Sequence, residues 1–429
     1  MGCATQTCRT PHFFANRMPS PLKTIFHATR RLAASLWLNG LHRRVTQIAI
    51  TGSYGKTSTT SAIYAVLRRH ASALVTDLNL DTIYNVPITA LRLRRQHRYL
   101  IFELGIDTSG EMDYHLRIAR PRISVITGIS PVHADDKHLG SLEAIIQQKG
   151  RIIEVLRPTD TALLNRDDET VRQMAARTTA RVLWYGTSAG SDYRASNIRQ
   201  TLTGTRFTLL TPSGEMEIST PLLGAHNALN LAAAACVGQQ AGVPSEIILT
   251  AFAELTPLKG RLNVEPGPRG LILINDALRA NPASTKSGLA FLGALNTRSR
   301  KIAVLGEMGE LGAHAIPQHI EIGVAAAASK PDLLITVGDL TRYTAEAARK
   351  NGLTTSQVFA VGNVHEGAAI LRERGKPGDV VYLKGSLMRH MERIPLILAG
   401  QPVGCTVISC PFYHQCTECE FIAKGYNPG

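Results

Sequence analysis

The residues best placed to do chemistry are Thr51-Gly52-Ser53-Tyr54-Gly55-Lys56-Thr57-Ser58, which follow the apolar run Ile48-Ala49-Ile50. A strand that ends in a glycine-bounded turn and opens into a helix leaves backbone N–H groups free at the helix N-terminus. There they and the helix dipole favour a phosphate. Gly52 and Gly55 let the backbone approach the anion, Lys56 supplies a point charge, and the Thr57 hydroxyl suits magnesium. The spacing departs from the common Walker loop, whose first glycine would fall at Ile50. Glu103 and His133 could join this chemistry by position, whereas Lys149 gives no such signal. Glu103 closes the apolar run Leu100-Ile101-Phe102, at a sheet edge where a carboxylate can hold magnesium or merely cap a turn. His133 lies in the loop after Ile123–Thr127, as a metal ligand, a phosphate-orienting group or a solvated side chain. Lys149 reads from composition alone as a surface lysine.

The elements that must position these residues form an α/β alternation. Strand patterns at Gln47–Thr51, Tyr99–Leu104, Arg122–Thr127, Thr161–Leu164 and Val182–Tyr185 are expected. Helical patterns over Thr57–Arg69, Glu111–Ala119 and Gly140–Leu156 separate the earlier ones, giving a parallel sheet with crossover helices. Residues 190–222 switch to short alternating runs broken by Gly204 and Pro212-Ser213-Gly214, an antiparallel patch; Gly224–Ala241 is an Ala-rich helix. Near Pro257-Leu258-Lys259-Gly260 the alternation restarts, with strands expected at Leu271–Asn275, Lys301–Gly306, Leu333–Val337, Gln357–Val361 and Val380–Leu383. The fold class is therefore α/β: a central P-loop ATPase domain (46–258) followed by a Rossmann-like doubly wound domain (259–400). A basic segment (1–45) precedes them and a cysteine-containing tail (401–429) of little periodicity follows.

No Asp or Glu occurs before Asp77, whereas ten Lys and Arg do; removing those ten from the 47 basic residues leaves 37 against 33 acidic ones. The net charge of +14 is thus mostly a property of the N-terminal region. With aromatics at 5% and no stacking signature, no nucleic-acid partner is expected. Residues 21–44 mix Ile25, Phe26, Leu32, Leu36, Trp37 and Leu41 with Arg30, Arg31, Arg43 and Arg44. Such a helix either lies on an anionic membrane surface or packs on the first domain with its basic face solvated; the second is the simpler reading. An organelle transit peptide is disfavoured by Pro21 and Gly40, no secretory signal is evident, and no run of eighteen apolar residues occurs. The expected location is the cytoplasm, with the inner membrane face as the surface the basic N-terminus would touch. Cys405, Cys410, Cys416 and Cys419 cluster in the tail, where they could complete a structural zinc site with His414 as a further ligand, or remain reduced thiols in a disordered segment.

Taken together and in order, these motifs resemble the Mur ligase family over roughly residues 46–398, most closely its members that add D-alanyl-D-alanine to a UDP-linked muramoyl tripeptide. Thr51 through Thr57 matches the family's shortened phosphate loop, which accounts for the spacing. Glu103-Leu104-Gly105 resembles its magnesium-binding glutamate segment, His133 its histidine loop, and Lys149-Gly150 the lysine that the family carbamylates to help hold a second magnesium. Gly224-Ala225-His226-Asn227 resembles the turn whose asparagine contacts adenine, and Gly260-Arg261-Leu262 the interdomain arginine segment. Asp276 through Pro282, Gly306 through Gly312 with His319, and Lys384-Gly385-Ser386 resemble the C-terminal signatures. The resemblance implies ATP and Mg²⁺, a carboxylate-bearing substrate activated as an acyl phosphate, and an amine acceptor such as an amino acid or dipeptide. Leu278, Arg279 and Leu387 depart from the pattern, and the 45 residues ahead of the loop are expected to be too few for the usual UDP-sugar domain. Two alternatives stay open: a ligase that works with a glutaminase to amidate a lipid-linked precursor, and a nucleotide-binding interaction protein whose catalysis has decayed.

Overall fold

The computed structural model describes residues 20–41, 44–77, 82–131, 139–412 and 414–426. Two sheets organise the chain. The first has nine strands: β1 (Thr46–Thr51), β2 (Ala73–Val75), β3 (Tyr99–Glu103), β4 (Ile123–Ile126), β5 (Thr161–Asn165), β6 (Arg181–Gly186), β7 (Tyr193–Thr201), β8 (Gly204–Thr211) and β9 (Gly214–Thr220). Their spatial order is β2-β3-β1-β4-β5-β6-β7-β8-β9. Pairing is parallel from β2 through β7 and antiparallel from β7 through β9. The central strands are buried almost throughout, as a sheet covered by helices on both faces requires. One face packs Ile48, Ile50 and Ile101 against the helices Lys56–His70 and Ala225–Gln240; the other packs Ala49, Leu100 and Phe102 against Leu142–Glu154.

The second sheet contains β10 (Asn263–Pro266), β11 (Ile272–Asp276), β12 (Lys301–Gly306), β13 (Leu333–Val337), β14 (Val358–Val361) and β15 (Val380–Lys384), in the order β10-β11-β15-β12-β13-β14. Only the β10 pairing is antiparallel. Chain order reverses on both sides of β1, which lies between β3 and β4; a doubly wound sheet opens its ligand crevice at such a reversal, beyond the strand C-termini.

Several elements differ from expectation. The short edge strand β2, the edge strand β10 and the helices Thr82–Leu91 and Ser245–Ala253 were not anticipated. Pro87 sits inside the first of those helices, a residue that ordinarily argues against one. The helical pattern of residues 387–398 is broken: a 3₁₀ turn at Leu387–Arg389 is separated from Arg393–Leu398 by His390 with φ +47°. The tail is also not separate from the second domain. Arg393 donates to the carbonyls of Val407 (2.8 Å) and Cys405 (3.4 Å), the Cys410 N–H donates to Met388 O (2.9 Å), and the Cys416 N–H to Glu392 Oε1 (3.1 Å).

Candidate active site

The phosphate loop is held from below by the turn that follows β4. Ser53 N–H donates to Gly128 O (2.7 Å), Ser53 Oγ donates to Ser130 O (3.0 Å), and Ser130 N–H donates back to Ser53 Oγ (3.0 Å). Tyr54 hydroxyl donates to Asp168 Oδ2 (2.7 Å), which also accepts from Ile129 N–H (2.9 Å). A Cβ on Gly52 would stand 2.1 Å from Thr127 Oγ1, so glycine is required by the approach of the two loops. Gly55 takes φ +78° and begins the helix Lys56–His70 with no side-chain cap, leaving first-turn N–H groups for an anion. Thr51, fully buried, donates its hydroxyl to Leu104 O (2.7 Å) and so ties β1 to the segment after β3. Ser58 lies in the first turn of the helix, half-buried.

Lys56 Nζ donates to Gly52 O (2.7 Å), folding back over the loop. Burial of the ammonium pulls its pKa below the ordinary lysine value, with Glu103 opposing and Arg261 and Arg279 adding to the fall. The Thr57 hydroxyl donates to Glu103 Oε1 (2.9 Å), and Arg261 approaches the same hydroxyl from the segment that enters the second domain (3.4 Å). Hydroxyl and carboxylate oxygens at the C-terminal edges of adjacent strands are the hard donor set that magnesium takes. The structure therefore brings together Lys56, Thr57, Glu103 and Arg261. Arg279, met in the sequence as a departure, belongs to the same positive field.

Lys149 is 2% exposed, on the helix Leu142–Glu154, which overturns the surface reading. Alternation along a helix cannot show that a polar position faces a crevice between sheet and helix, so burial was not legible there. Desolvation drives its pKa well below that of an ordinary lysine, and Lys56 adds to the fall, while Asp107 and Glu111 oppose it. Glu111 is itself buried and accepts from the Asp107 N–H (2.7 Å) and Thr108 N–H (3.2 Å), fixing the turn after β3. His133 lies outside the described residues.

Asn227 is buried and donates to Leu223 O (2.7 Å); its Oδ1 accepts from Asn230 Nδ2 (2.9 Å), and Asn230 Oδ1 accepts from Thr59 Oγ1 (3.1 Å). Asn230, which sequence reasoning missed, thus joins the turn at Gly224 to the phosphate-loop helix. Asp276 is engaged within the second domain. Its Oδ2 accepts from Lys384 Nζ (2.7 Å) and Tyr382 hydroxyl (3.0 Å), and its Oδ1 from Leu262 N–H (3.1 Å), so it holds the residue next to Arg261. His319 accepts from Met308 N–H at Nε2 (3.3 Å) and donates from Nδ1 to Ala315 O (2.7 Å), supporting the loop after β12.

In the tail, Cys405, Cys410 and Cys416 are buried and Cys419 is half-buried. They do not form a four-cysteine ligand set: among the described residues, the group with ligand atoms within 4.8 Å of one another is His390, Glu392 and Cys416. Cys416 Sγ accepts from Arg393 Nε (3.0 Å), and burial pushes the thiol up to about 12.

Comparison with known proteins agrees with this geometry. The Mur ligase middle domain family matches residues 50–238, and the Mur ligase glutamate ligase domain family matches 260–387. The UDP-N-acetylmuramoyl-tripeptide–D-alanyl-D-alanine ligase of Bacillus subtilis (strain 168) is 32% identical over 370 residues, covering 86% of this chain and 79% of its own length. The enzyme of the same name from Escherichia coli (strain K12) is 32% identical over 293 residues, 68% of this chain; the chain spans 64% of that relative's length. Among solved structures, MurF from Acinetobacter baumannii superposes with a TM-score of 0.78 at 26% identity, over 87% of this chain and 81% of that one. With both domain families matched in order on either side of the Thr57–Glu103–Arg261 contact, this chain belongs to the Mur ligase family.

Proposed function

We propose that the protein is an ATP-dependent carboxylate–amine ligase of peptidoglycan-precursor synthesis, with its site between the two sheets. The observation that carries this reading is the convergence on Thr57 of Glu103 from the first sheet and Arg261 from the approach to the second. In the reaction, a substrate carboxylate oxygen attacks the γ-phosphorus of ATP, ADP leaves, and the acyl phosphate is then attacked by an amine that expels inorganic phosphate and forms the amide. Lys56 and the first-turn N–H groups bind and orient the phosphates, and Arg261 and Arg279 add positive charge on the side of the second domain. Magnesium, held by Thr57 and Glu103 when bound, would neutralise phosphate charge. His133 would join that ligand set. Asn227 would serve the adenine end, and Asp276 would position Arg261 through Leu262.

Lys149 enters the same reading as a carbamate. Burial favours its neutral amine, the form that attacks CO₂, and loss of a proton from the adduct leaves a carbamate anion near Lys56. The amine acceptor of this reading is D-alanyl-D-alanine, and the carboxylate is that of a muramoyl peptide. A structural zinc ion in the tail is a separate proposal, supported by the juxtaposition of His390 and Glu392 with Cys416. Purified protein free of zinc by elemental analysis would reject it.

The ligase reading is tested by phosphate release from ATP in the presence of a muramoyl tripeptide and D-alanyl-D-alanine, with product identified by mass. Wild type is expected to turn over, and Lys56→Ala to lose about 100-fold or more of the rate while keeping its fold. Equal rates in the two proteins, or ATP hydrolysis with no amide formed, would overturn it.

A further inference from the structure

The helix Ser20–Leu36 presents the reverse of the face expected of it. At about 100° per residue, Ile25, Leu32 and Leu36 fall in one narrow stripe. They are 61%, 62% and 64% exposed, and Phe26 on the flank is 40% exposed. Ala34 and Leu38 are instead buried, and Arg30 lies inward, 5.6 Å from the ring centres of Phe26 and Tyr84. Arg31 stacks over Tyr114 at 4.9 Å. A helix that served only to cover the first domain would turn its isoleucine and leucines inward and its arginines out.

Positive charge from three parts of the chain gathers at the C-terminal end of the helix. Trp37 Nε1 donates to Leu93 O (3.1 Å) and Asn39 Nδ2 to Ile118 O (3.0 Å), seating the end of the helix between residues 92–98 and 117–122. Those segments expose Arg94, Arg95, Arg98, Arg117 and Arg120, and Arg44 is exposed just after the helix. The acids of the neighbouring elements are engaged, Asp77 with Arg92 (2.8 Å) and Asp113 with Arg151 (3.0 Å), and no acid precedes Asp77 in the chain. A second copy of this chain would bring like charge to like. A surface that is anionic outside and apolar beneath satisfies both halves of the patch.

We propose that the outward face of the helix Ser20–Leu36 at Ile25, Leu32 and Leu36, with Arg44 and the arginines of 92–98 and 117–122, docks the protein on a bilayer containing acidic lipids. Ile25, Leu32 and Leu36 enter the headgroup–acyl boundary and the arginines meet the headgroups. This goes beyond the ligase reading and does not depend on it.

Co-sedimentation of the full chain with vesicles of phosphatidylcholine alone, or mixed with phosphatidylglycerol, tests the proposal. Binding is expected to the mixed vesicles only and to weaken as salt rises. The triple substitution Ile25→Glu, Leu32→Glu, Leu36→Glu is expected to weaken it about tenfold or more. Arg94→Gln, Arg95→Gln, Arg117→Gln and Arg120→Gln together are expected to weaken it as well, with melting curves like those of the parent. Failure to bind the mixed vesicles, or binding indifferent to the glutamates, would overturn the proposal. So would a concentration-dependent dimer dissolved by the glutamates, which assigns the stripe to a second copy. Binding that appears only after removal of residues 1–19 would assign it to that segment and overturn the proposal too.

Discussion

Lys149 shows how far one residue's chemistry depends on where it is held. Its amine is buried and resists protonation by desolvation, whereas in the unfolded chain it carries a proton up to the ordinary lysine range. A group whose folded pKa is depressed binds fewer protons folded than unfolded, so stability rises with pH between the two values. In CO₂-free buffer, Lys149→Met is expected to be the more stable protein at neutral pH, with a shallower dependence of melting temperature on pH towards the lysine range. Lys56 and Lys384, also depressed by burial, add slopes common to both proteins. Bicarbonate should stabilise the wild type and leave the methionine variant unmoved. Matching slopes, and no response to bicarbonate, would remove the carbamate from the site.

Two histidines, His115 buried and His226 half-buried, act in the opposite part of the pH range. His115 donates from Nε2 to Gly105 O (3.1 Å), and burial lowers its pKa to about 4; burial lowers His226 to about 4 as well. Below the ordinary histidine pKa of 6.5 the unfolded chain takes up protons that the folded chain refuses. Stability is therefore expected to fall as pH drops from 6.5 towards 4. His115→Gln and His226→Asn together should flatten that fall in a series of thermal melts. An unchanged profile would show that carboxylates dominate.

Among the elements, the phosphate loop depends on a latch it does not itself contain. Asp168 accepts from Tyr54 and from Ile129 N–H with one oxygen, and caps the helix Glu169–Met174 by accepting from Val171 N–H (3.0 Å) with the other. Asp168→Ala is expected to cost about 1–3 kcal/mol in chemical denaturation and to raise the KM for ATP more than it lowers kcat. A variant with wild-type ATP dependence would dissociate the latch from the loop. The loop was legible in the sequence because strand, glycine turn and helix are adjacent in the chain. Asp168 was not, because it is 114 residues from Tyr54 and lies on a different strand's exit. The strands Lys301–Gly306 and Leu333–Val337 coincide with expectation, since buried parallel strands are written as unbroken apolar runs. The short β2 and the proline-containing helix Thr82–Leu91 carry no comparable local signal; their form is set by the surfaces they cover.

At the scale of the whole molecule, the junction between the sheets is built on a buried ion pair. Lys384 at the end of β15 binds Asp276 at the end of β11 and also donates to Arg279 O (2.8 Å), while Asp276 holds the backbone beside Arg261. Lys384→Met would leave the Asp276 carboxylate without its cation, at an expected cost of about 3–5 kcal/mol in denaturant unfolding. Arg261 should lose its bearing on Thr57 at the same time, so ATP-dependent turnover is expected to fall even where the fold survives. Full activity in that variant would separate the ion pair from the site.

The asparagine chain from the Gly224 turn to the phosphate-loop helix has a bearing on how this protein can change. Asn227, Asn230 and Thr59 are linked donor to acceptor through buried groups, so the two ends of a bound nucleotide would press on one rigid piece. On the role proposed for Asn227 at the base, a replacement there that suited another base would strand the Asn230 amide, which bonds the helix that Gly55 begins. Drift in base preference is therefore constrained by the phosphate end. A descendant that changed it would have to alter three positions in concert.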